Sequence, residues 1–412
     1  MAKLDILISG AGIAGPVLAY WLKRGVDCSI TIVERSPVLR VSGKNIDIRG
    51  SAVDVIRQMN LEEKVKSKRT NEIGLAFVDG AGCEKAKYPK GEDSAQQSFT
   101  SQYEILRGDL VRILFDASKE SAQYIFDESI MSVEQTNDYK AQVVFTGGHP
   151  KTSYDLVVLA DGLSSQGRKR IFGKGENGED YIRPLGQYCA YFTIPKNARD
   201  DNWARWYNAT RGRVVFLRPS NDDTTRAYLA VTRSDVFKFN EVFESTDIDK
   251  KRLLKDEFVG AGWQTERVLS EMENASDFHC HMVAQVKMLN FVKGNVALVG
   301  DSGYCPSPIS GMGSSLAIMG AYVLAGEISE TPFDIPQALK RYQTAMKPLV
   351  HQSQKLPPGA PQIANPQTQM GISVLYGCLA IASSNWIAKL ASVFPRFTSV
   401  NQRAPAYPRL QQ

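Results

Sequence analysis

Three glycines near the amino terminus, in the run Gly10-Ala11-Gly12-Ile13-Ala14-Gly15, could form a cradle for a diphosphate. Gly10 permits a tight turn, Gly12 lets the backbone approach phosphate oxygens without a Cβ atom, and Gly15 permits close packing of the helix that follows. The first turn of that helix would present unpaired backbone N–H groups and the positive end of the helix dipole. The run therefore predicts an anion site.

The elements around these glycines are those that a dinucleotide requires. The short apolar run Leu4–Ser9 predicts a buried parallel strand, residues 12–24 predict a helix, and Ser29–Val33 predicts a second strand. Glu34 follows about 20 residues after the glycines, where a carboxylate can accept hydrogen bonds from ribose hydroxyls. Arg35 is next to it and is included in the predicted site. This order of elements predicts a bound dinucleotide.

A second glycine-rich segment, Gly300–Gly313, occurs late in the chain. A buried strand leads to Asp301, whose carboxylate can accept hydrogen bonds from a sugar-like chain. The spacing Pro308-x-x-Gly311-x-Gly313 then precedes a predicted helix that begins with Ser314 and Ser315. Two helix N-termini in one domain suit a ligand with two separate anionic ends. FAD fits, with its pyrophosphate at the first helix and the N1–C2=O edge of its ring at the second.

With two further segments, the chain resembles the class A FAD-dependent monooxygenases typified by p-hydroxybenzoate hydroxylase. Asp155–Arg168 is similar to the family's DxxxxADGxxSxxR signature and contains Asp161 and Gly162. Glu104–Leu110 resembles the segment that carries an FAD-contacting arginine, which is Arg107 in this chain. The resemblance covers about residues 3 to 350. In motif spacing and residue pattern, the chain looks most like the tetracycline-inactivating flavin monooxygenases and related fungal enzymes of secondary metabolism.

The resemblance implies a definite chemistry. NADH or NADPH would reduce FAD, O₂ would add at the flavin C4a position, and the resulting hydroperoxide would hydroxylate an electron-rich aromatic or polyketide-like molecule. The cofactor carries this chemistry, so no catalytic acid or base is predicted among the side chains. The sequence contains no second GxGxxG segment, which implies that the nicotinamide binds transiently in a shared groove.

Two departures from the family's pattern leave alternatives open. Where the family usually has GDAAH, this chain has Gly300-Asp301-Ser302-Gly303-Tyr304, and Ser315 takes the place of an asparagine near the flavin pyrimidine. We interpret both as changes in the side chains around the flavin that leave the chemistry of the family in place. A second class remains open, an FAD-dependent oxidase, reductase or dehydrogenase without oxygen insertion. A third is a flavin-binding protein without catalysis.

The substrate residues are expected on a different kind of sheet. Between Gln187 and Thr232 the strands are short and aromatic-rich, which predicts an antiparallel sheet with one face covered and one free. The candidates on it are Tyr191, Arg205, Trp206, Phe216 and Arg218. Because side chains alternate along a strand, about half of them are expected only to pack. The two arginines would suit an acidic, enolic or phenolate substrate.

Ser42–Gly50 is predicted as a polar loop. In the resembled family this loop passes near the flavin, so Arg49 is a candidate for the cofactor site and Asp47 for the substrate site. An exposed charged loop with neither role is an equal alternative.

These patterns predict an α/β fold in which a Rossmann-like FAD-binding domain carries an inserted α+β substrate domain. The FAD-binding domain is predicted in three segments, residues 1–73, 103–182 and 285–354. The substrate domain is predicted in two segments, residues 74–102 and 183–284. Residues 366–396 predict a C-terminal helix, packed on the surface or bridging the domains, with an interfacial membrane anchor as the alternative.

Other patterns predict individual elements. The turn Asp79-Gly80-Ala81-Gly82 predicts a hairpin over residues 74–88. Helical periodicity predicts a helix over residues 103–118, with Arg107 near its start, and the apolar run 154–160 predicts one strand.

The composition of this 412-residue chain argues against nucleic-acid binding and against a metal site. Its net charge is +5, without a run of five like charges, which argues against nucleic acid. The six cysteines include no CxxC pair, which favours reduced thiols over disulfides or zinc. His279 and His281 are predicted to share one face of a strand, but two ligands make a poor metal site.

The first predicted strand starts by residue 4, which leaves no room for a signal peptide. We therefore expect a cytoplasmic enzyme, monomeric or weakly dimeric. Its expected partners are a small-molecule substrate and O₂, with no metal, nucleic acid or membrane.

Overall fold

The computed structural model describes residues 3–90, 103–136, 140–175, 178–220, 223–233, 239, 241–242, 245–383 and 404–411. Its strands are β1 (Leu4–Ser9), β2 (Cys28–Glu34), β3 (Asn45–Asp47), β4 (Gly74–Val78), β5 (Glu84–Pro89), β6 (Glu104–Leu106), β7 (Gln123–Phe126), β8 (Ile130–Gln135), β9 (Ala141–Phe145), β10 (Thr152–Tyr154), β11 (Leu156–Leu159), β12 (Ile182–Pro195), β13 (Trp203–Ala209), β14 (Arg213–Pro219), β15 (Thr224–Thr232), β16 (His279–Val286), β17 (Val292–Lys293) and β18 (Val296–Leu298). Its α-helices are α1 (Ala14–Gly25), α2 (Ser51–Gln58), α3 (Glu62–Ser67), α4 (Arg107–Ser118), α5 (Asp247–Phe258), α6 (Thr265–Asn274), α7 (Asp301–Tyr304), α8 (Gly313–Glu330), α9 (Ile335–Ser353) and α10 (Gln369–Ser383).

The first large sheet has six strands in the order β17-β18-β11-β1-β2-β7. All neighbours are parallel except the edge pair β17 and β18. The strands β1 and β11 are almost wholly apolar because the sheet is covered on both faces. Strand β18 joins β11 although the second large sheet lies between them in sequence, with Val157 opposite Val296. The predicted α/β fold with an interrupted first sheet is therefore confirmed.

The second large sheet has seven strands in the order β16-β12-β15-β14-β13-β4-β5. Every pairing is antiparallel except that of β13 with β4. One face packs against α5 and α6, whose Leu254, Phe258 and Val268 join its buried core. The opposite face contacts β3, because the Tyr228 hydroxyl on it bonds to Asn45. The hairpin predicted over residues 74–88 is present as β4 and β5.

Three local predictions were wrong. The predicted loop 42–50 contains strand β3, which pairs with β6, and the helix predicted from residue 103 begins only at Arg107 because β6 comes first. The predicted strand 154–160 is divided at Asp155 between two sheets, since β10 pairs with β9 and β11 pairs with β1. Each error concerns pairing with a partner distant in sequence.

The C-terminal part contacts both sheets. Helix α10 packs on the second sheet through Ile372 and Tyr376, and the Tyr376 hydroxyl donates to the carbonyl oxygen of Val78 at 2.9 Å. Residues 384–396 of the predicted helix, and residues 91–102 of the predicted substrate domain, lie outside the described residues. In the tail, Tyr407 and Leu410 are buried against the first sheet's helices. Within the described ranges, no helix is long and apolar enough to cross a membrane.

Candidate active site

The glycine run forms a tight turn in which only Gly12 has free space beside its Cα atom. Gly10 has φ +115°, and a Cβ there would lie 2.5 Å from the carbonyl oxygen of Ala160. A Cβ on Gly15 would lie 2.1 Å from the carbonyl oxygen of Gly10. Gly12 differs, because its Cβ would meet only Nη2 of Arg107, at 3.5 Å. Gly10 and Gly15 therefore maintain the turn, while Gly12 leaves room for a ligand.

Helix α1 presents an open N-terminus at this turn. Its N-cap residue, Ile13, makes no capping hydrogen bond through its side chain, and the first turn, which starts at Ala14, contains no acidic residue. Glu34 lies beside the turn, where it accepts from the backbone N–H groups of Ala11 at 3.0 Å and Ser36 at 3.1 Å. Arg35 is exposed. The uncapped N–H groups and the helix dipole favour an anion here.

Arg107 supplies a cation at the same place. Its side chain packs over Gly43, and its guanidinium reaches toward Gly12. Among the described residues this guanidinium has no hydrogen bond or ion pair. Burial lowers the pKa of Arg107, because the charged form is poorly solvated. A half-buried cation beside a glycine cradle is the arrangement that a diphosphate would neutralise.

Two carboxylates have buried oxygen atoms that nothing satisfies. Oδ1 of Asp161 and Oδ1 of Asp301 have no hydrogen-bond partner among the described residues. Burial raises the pKa of both carboxyl groups. Gly162, next to Asp161, has φ +81° and no atom within 4 Å of the Cβ position. Buried acceptors of this kind require donors, and the hydroxyls of a sugar chain would provide them.

A second open helix N-terminus lies at α8. The turn over Pro308 ends at Gly311, which has φ +65° and open space at its Cβ position. The N-cap residue, Met312, makes no capping hydrogen bond through its side chain, and a Cβ on Gly313 would lie 3.5 Å from Oδ1 of Asp301. Ser314 is half-buried at this end. The cradle, the orphaned carboxylate and this helix end fit the diphosphate, ribityl chain and flavin ring of FAD.

The two departures from the family's pattern have separate explanations. Ser315 accepts a hydrogen bond at its Oγ from the backbone N–H of Arg49, at 2.9 Å, so it ties the segment after β3 to α8. Tyr304 is buried away from the helix end. Its hydroxyl lies 2.9 Å from the hydroxyl of Tyr342, which donates to the carbonyl oxygen of Leu298 at 2.8 Å. Only the first departure therefore adjoins the predicted ring site.

We expect Tyr304→Phe to destabilise the fold without changing the flavin. Because the Tyr342 hydroxyl donates its proton to the carbonyl oxygen of Leu298, the Tyr304 hydroxyl is the donor to Tyr342. Removing the Tyr304 hydroxyl should therefore lower the free energy of unfolding by about 1 kcal/mol. Chemical denaturation and the visible spectrum of the FAD-loaded protein would measure the two effects. A changed flavin spectrum at unchanged stability would contradict this assignment.

An aromatic row crosses the second sheet on the face opposite α5 and α6. The residues stand opposite one another in register on six neighbouring strands, namely His279, Tyr191, Tyr228, Phe216, Trp206 and Phe77. Neighbouring ring centroids lie 5.0 to 6.1 Å apart. Helix α10 packs over the Phe77 end. The row forms an aromatic floor, and three predicted substrate residues lie in it.

The two arginines predicted for substrate binding do not serve it. Arg205 stands opposite Leu217 on the face covered by helices, so it points away from the floor, and it pairs with Asp201 at 2.6 Å. Arg218 is on the floor side, but its guanidinium is held by Glu72 and Glu104. Both predictions are corrected: one side chain is on the wrong face and the other is already neutralised.

Asp47 and Arg49 are close to each other at the end of β3. Nη2 of Arg49 donates to Oδ2 of Asp47 at 2.9 Å, and both side chains are largely buried. The interpretation of this segment as a solvated charged loop is therefore wrong. The pair adjoins Ser315, at the N-terminus of α8.

Sequence reasoning missed three residues of the site. Lys44 lies in the electrostatic field of Asp301, and burial lowers its pKa. His279 and His281 share one face, as predicted for a strand, but they stack 5.8 Å apart beside Tyr191 on the floor and were expected to be structural. The alternation of side chains along β16 was the only sequence signal for the two histidines. Their position beside Tyr191 depends on the register of β16 with β12, which the sequence does not show.

We expect His281→Gln to reduce the loss of stability in acid. Nδ1 of His281 is enclosed in the protein, and burial, with repulsion from Lys44, lowers the pKa of His281 well below its ordinary value. An unfolded imidazole titrates near about 6.5, so below this pH the unfolded chain binds a proton that the folded chain does not. The stability that neutral His281 contributes is therefore lost as the pH falls below this value. Thermal midpoints at about pH 7 and about pH 5 should differ less in the variant than in the parent. Equal differences would contradict it.

Comparisons with known proteins identify the family of this chain. The family model described as an FAD binding domain matches residues 3–353. The FAD-dependent monooxygenase asL6 of Sarocladium schorii is 34% identical, with 99% of each chain covered. The flavin-dependent monooxygenase eupH of a Phoma species is also 34% identical, with 94% of each covered.

A solved structure extends the match to the fold. The crystal structure of the tetracycline destructase Tet(51) superimposes with a TM-score of 0.78 at 29% identity, covering 99% of this chain and 100% of the other. The matched length includes both large sheets and the open helix ends described above. The chain therefore belongs to the FAD-binding-domain family, as an FAD-dependent monooxygenase of the class typified by p-hydroxybenzoate hydroxylase.

Proposed function

We propose that this chain is an NADH- or NADPH-dependent FAD monooxygenase that hydroxylates an aromatic or polyketide-like small molecule through a flavin C4a-hydroperoxide. The aromatic floor is the observation that carries the proposal. The part of the floor beyond the residues that cluster with α10 consists of His279, Tyr191 and Tyr228, whose successive ring centroids are 5.0 and 5.9 Å apart. Flat ring systems pack well on such a surface because offset and edge-to-face contacts between aromatic rings are favourable.

The other residues of the site would bind and orient the cofactor. Gly12, Arg107 and the α1 N-terminus would hold the diphosphate, and Asp301 would accept hydrogen bonds from the ribityl hydroxyls. When bound, FAD supplies the redox chemistry with O₂. The N-terminus of α8 would face the edge of the ring that gains negative charge on reduction, and its dipole favours that charge.

The relatives support the substrate class. Two of them are named as monooxygenases in fungi, and Tet(51) is named as a tetracycline destructase. The three rings of the floor beyond α10 match planar fused-ring or resorcinol-type molecules. Helix α10 covers the far end of the floor and, with the sheet, would exclude water from the reacting atoms.

Anaerobic reduction of the bound flavin tests the proposal. The FAD-loaded protein would be mixed with NADH or NADPH, alone and with orcinol, 1-naphthol, an anthraquinone or tetracycline. We expect one nicotinamide to bleach the flavin and at least one ring compound to accelerate bleaching by roughly tenfold or more, as for a step gated by substrate. A sample that receives glucose in place of the ring compound controls for non-specific effects of added ligand. Failure of both nicotinamides with every compound would contradict the proposal.

We further propose a cytoplasmic location, where reduced nicotinamides are available, and a monomer or weak dimer. The six free cysteines, Cys28, Cys83, Cys189, Cys280, Cys305 and Cys378, support a reducing compartment. Light scattering during gel filtration would measure the oligomeric state.

A further inference from the structure

Arg218 forms the centre of a buried charge cluster between the second sheet and the segment before β4. Its Nε and Nη2 donate to the two carboxylate oxygens of Glu72, at 2.8 and 2.9 Å. Nη2 also donates to Oε2 of Glu104 at 2.5 Å. The side chains of both acids are 1% exposed and that of Arg218 is 14% exposed. Arg218 is thus fully engaged within the protein.

Glu104 connects Arg218 to the two-stranded ribbon formed by β3 and β6, here called the β3–β6 ribbon. In the ribbon, Asn45 pairs with Leu106 and Asp47 with Glu104. Oε1 of Glu104 accepts from Nδ2 of Asn45 and from Oγ1 of Thr70, each at 2.7 Å. Arg218 therefore holds one strand through Glu104, and Glu104 holds the other through Asn45.

The ribbon adjoins the flavin site at both of its ends. Strand β6 runs directly into Arg107, whose backbone N–H donates to the carbonyl oxygen of Lys44 at 3.0 Å. Strand β3 runs to Arg49, whose backbone N–H donates to Ser315 on α8. A shift of the ribbon would therefore displace both the cation at the diphosphate cradle and the contact at the ring end.

The ribbon also contacts the aromatic floor. The Tyr228 hydroxyl accepts from the backbone N–H of Asn45 at 3.1 Å and donates to Oδ1 of Asn45 at 3.3 Å. Tyr228 lies at the centre of the row, between Tyr191 and Phe216. One residue of the ribbon, Asn45, thus bonds to the floor and to the charge cluster.

The cluster is sensitive to loss of its cation. Two buried carboxylates share one guanidinium, and burial raises the pKa of Glu104 even though Arg218 opposes this. Burial disfavours the charged guanidinium, but Glu104 and Glu72 raise the pKa of Arg218 well above its ordinary value. Without Arg218 the two acids would either move apart or take up a proton, and in both cases Glu104 loses the charge-assisted bond that holds the ribbon.

We propose that Arg218 is a positioning residue, which fixes the β3–β6 ribbon so that the aromatic floor and the flavin-facing segment Asn45–Arg49 keep one relative placement. The link to the flavin needs only the FAD site, whereas the link to substrate rests on the function proposed above. Arg218 acts through Glu104 and Asn45 and touches neither ligand.

Hydrogen exchange and flavin potential of the FAD-loaded protein, without substrate, test the proposal. In Arg218→Met we expect exchange of the amides of residues 43–49 to rise roughly tenfold or more, because the ribbon opens locally. The reduction potential of the flavin should shift, since Arg49 no longer fixes Ser315 and the α8 N-terminus. Arg218→Lys, which keeps the charge, should restore both quantities part of the way.

Arg267→Met is the matched control. Arg267 pairs with Asp200 through two hydrogen bonds, at 3.0 and 2.5 Å, on the helix-covered side of the same sheet. It should leave exchange at residues 43–49 and the potential unchanged. If Arg218→Met does not fold, Glu104→Gln, which keeps the shape of the acid, should raise exchange in the same segment.

Unchanged exchange and potential in Arg218→Met, or equal changes in Arg267→Met, would overturn the proposal. Because no substrate is used, the outcome is separate from that of the proposed function. Failure to oxygenate any compound would leave a positive exchange result standing.

Discussion

Gly12→Asp should yield a folded but colourless protein. The added side chain has room in the protein, because a Cβ there meets only the end of the Arg107 side chain, at 3.5 Å. It would, however, place a carboxylate at the open N-terminus of α1, where we propose that the diphosphate lies. We expect the dissociation constant for FAD to rise about 1,000-fold, a change of about 4 kcal/mol. Titration of the apoprotein with FAD, followed by flavin fluorescence, would measure it.

Gly377→Asp provides the control for adding an aspartate. Gly377 is an exposed glycine of α10, with nothing within 4 Å of its Cβ position. It should bind FAD as the parent does, and the thermal midpoints of the two apoproteins should be similar. Wild-type affinity in Gly12→Asp would show that the diphosphate does not lie at this turn.

Arg107→Met should weaken FAD binding while making the apoprotein more stable. The Arg107 side chain is half-buried without a partner among the described residues, and desolvation lowers its pKa, so the empty site is destabilised by this cation. Loss of charge-assisted bonds to the diphosphate should raise the FAD dissociation constant by roughly 10- to 150-fold. The thermal midpoint of the apoprotein should rise, and the stabilisation by added FAD should shrink.

Arg112→Met separates the site from the helix. Arg112 is exposed on the same helix, α4, so its removal changes the charge of the helix but not the cradle. It should leave both FAD affinity and apoprotein stability near those of the parent. A fall in apoprotein stability in Arg107→Met would mean that Arg107 is paired within the protein.

The cofactor half of the site was predictable because it depends on local sequence. The turn at Gly10 and the open end of α1 arise from neighbouring residues, and each requires a glycine or an uncapped helix at a defined spacing. The same is true of Gly311 and α8. Arg107 was found through resemblance alone, since helical periodicity places the start of its helix too early.

The substrate half was less predictable because it depends on register. Alternation shows that Arg205 and Trp206 face opposite sides, but not which side is the floor. That choice follows from pairing with Phe216 and Leu217 on β14. The partners of Arg218 come from two segments distant in sequence, so the sequence could suggest a free cation where the fold has a neutralised one. The same limit hid strand β3.

The most direct test of the central claim is the fate of labelled O₂. Using the ring compound that most accelerates flavin reduction, the reaction would be run in isotopically labelled O₂ and the product weighed by mass spectrometry. We expect one labelled oxygen atom in the product and the other in water, with one NADH or NADPH oxidised for each product formed. Oxidised product without label, accompanied by one equivalent of hydrogen peroxide, would contradict the claim and identify an oxidase on this scaffold.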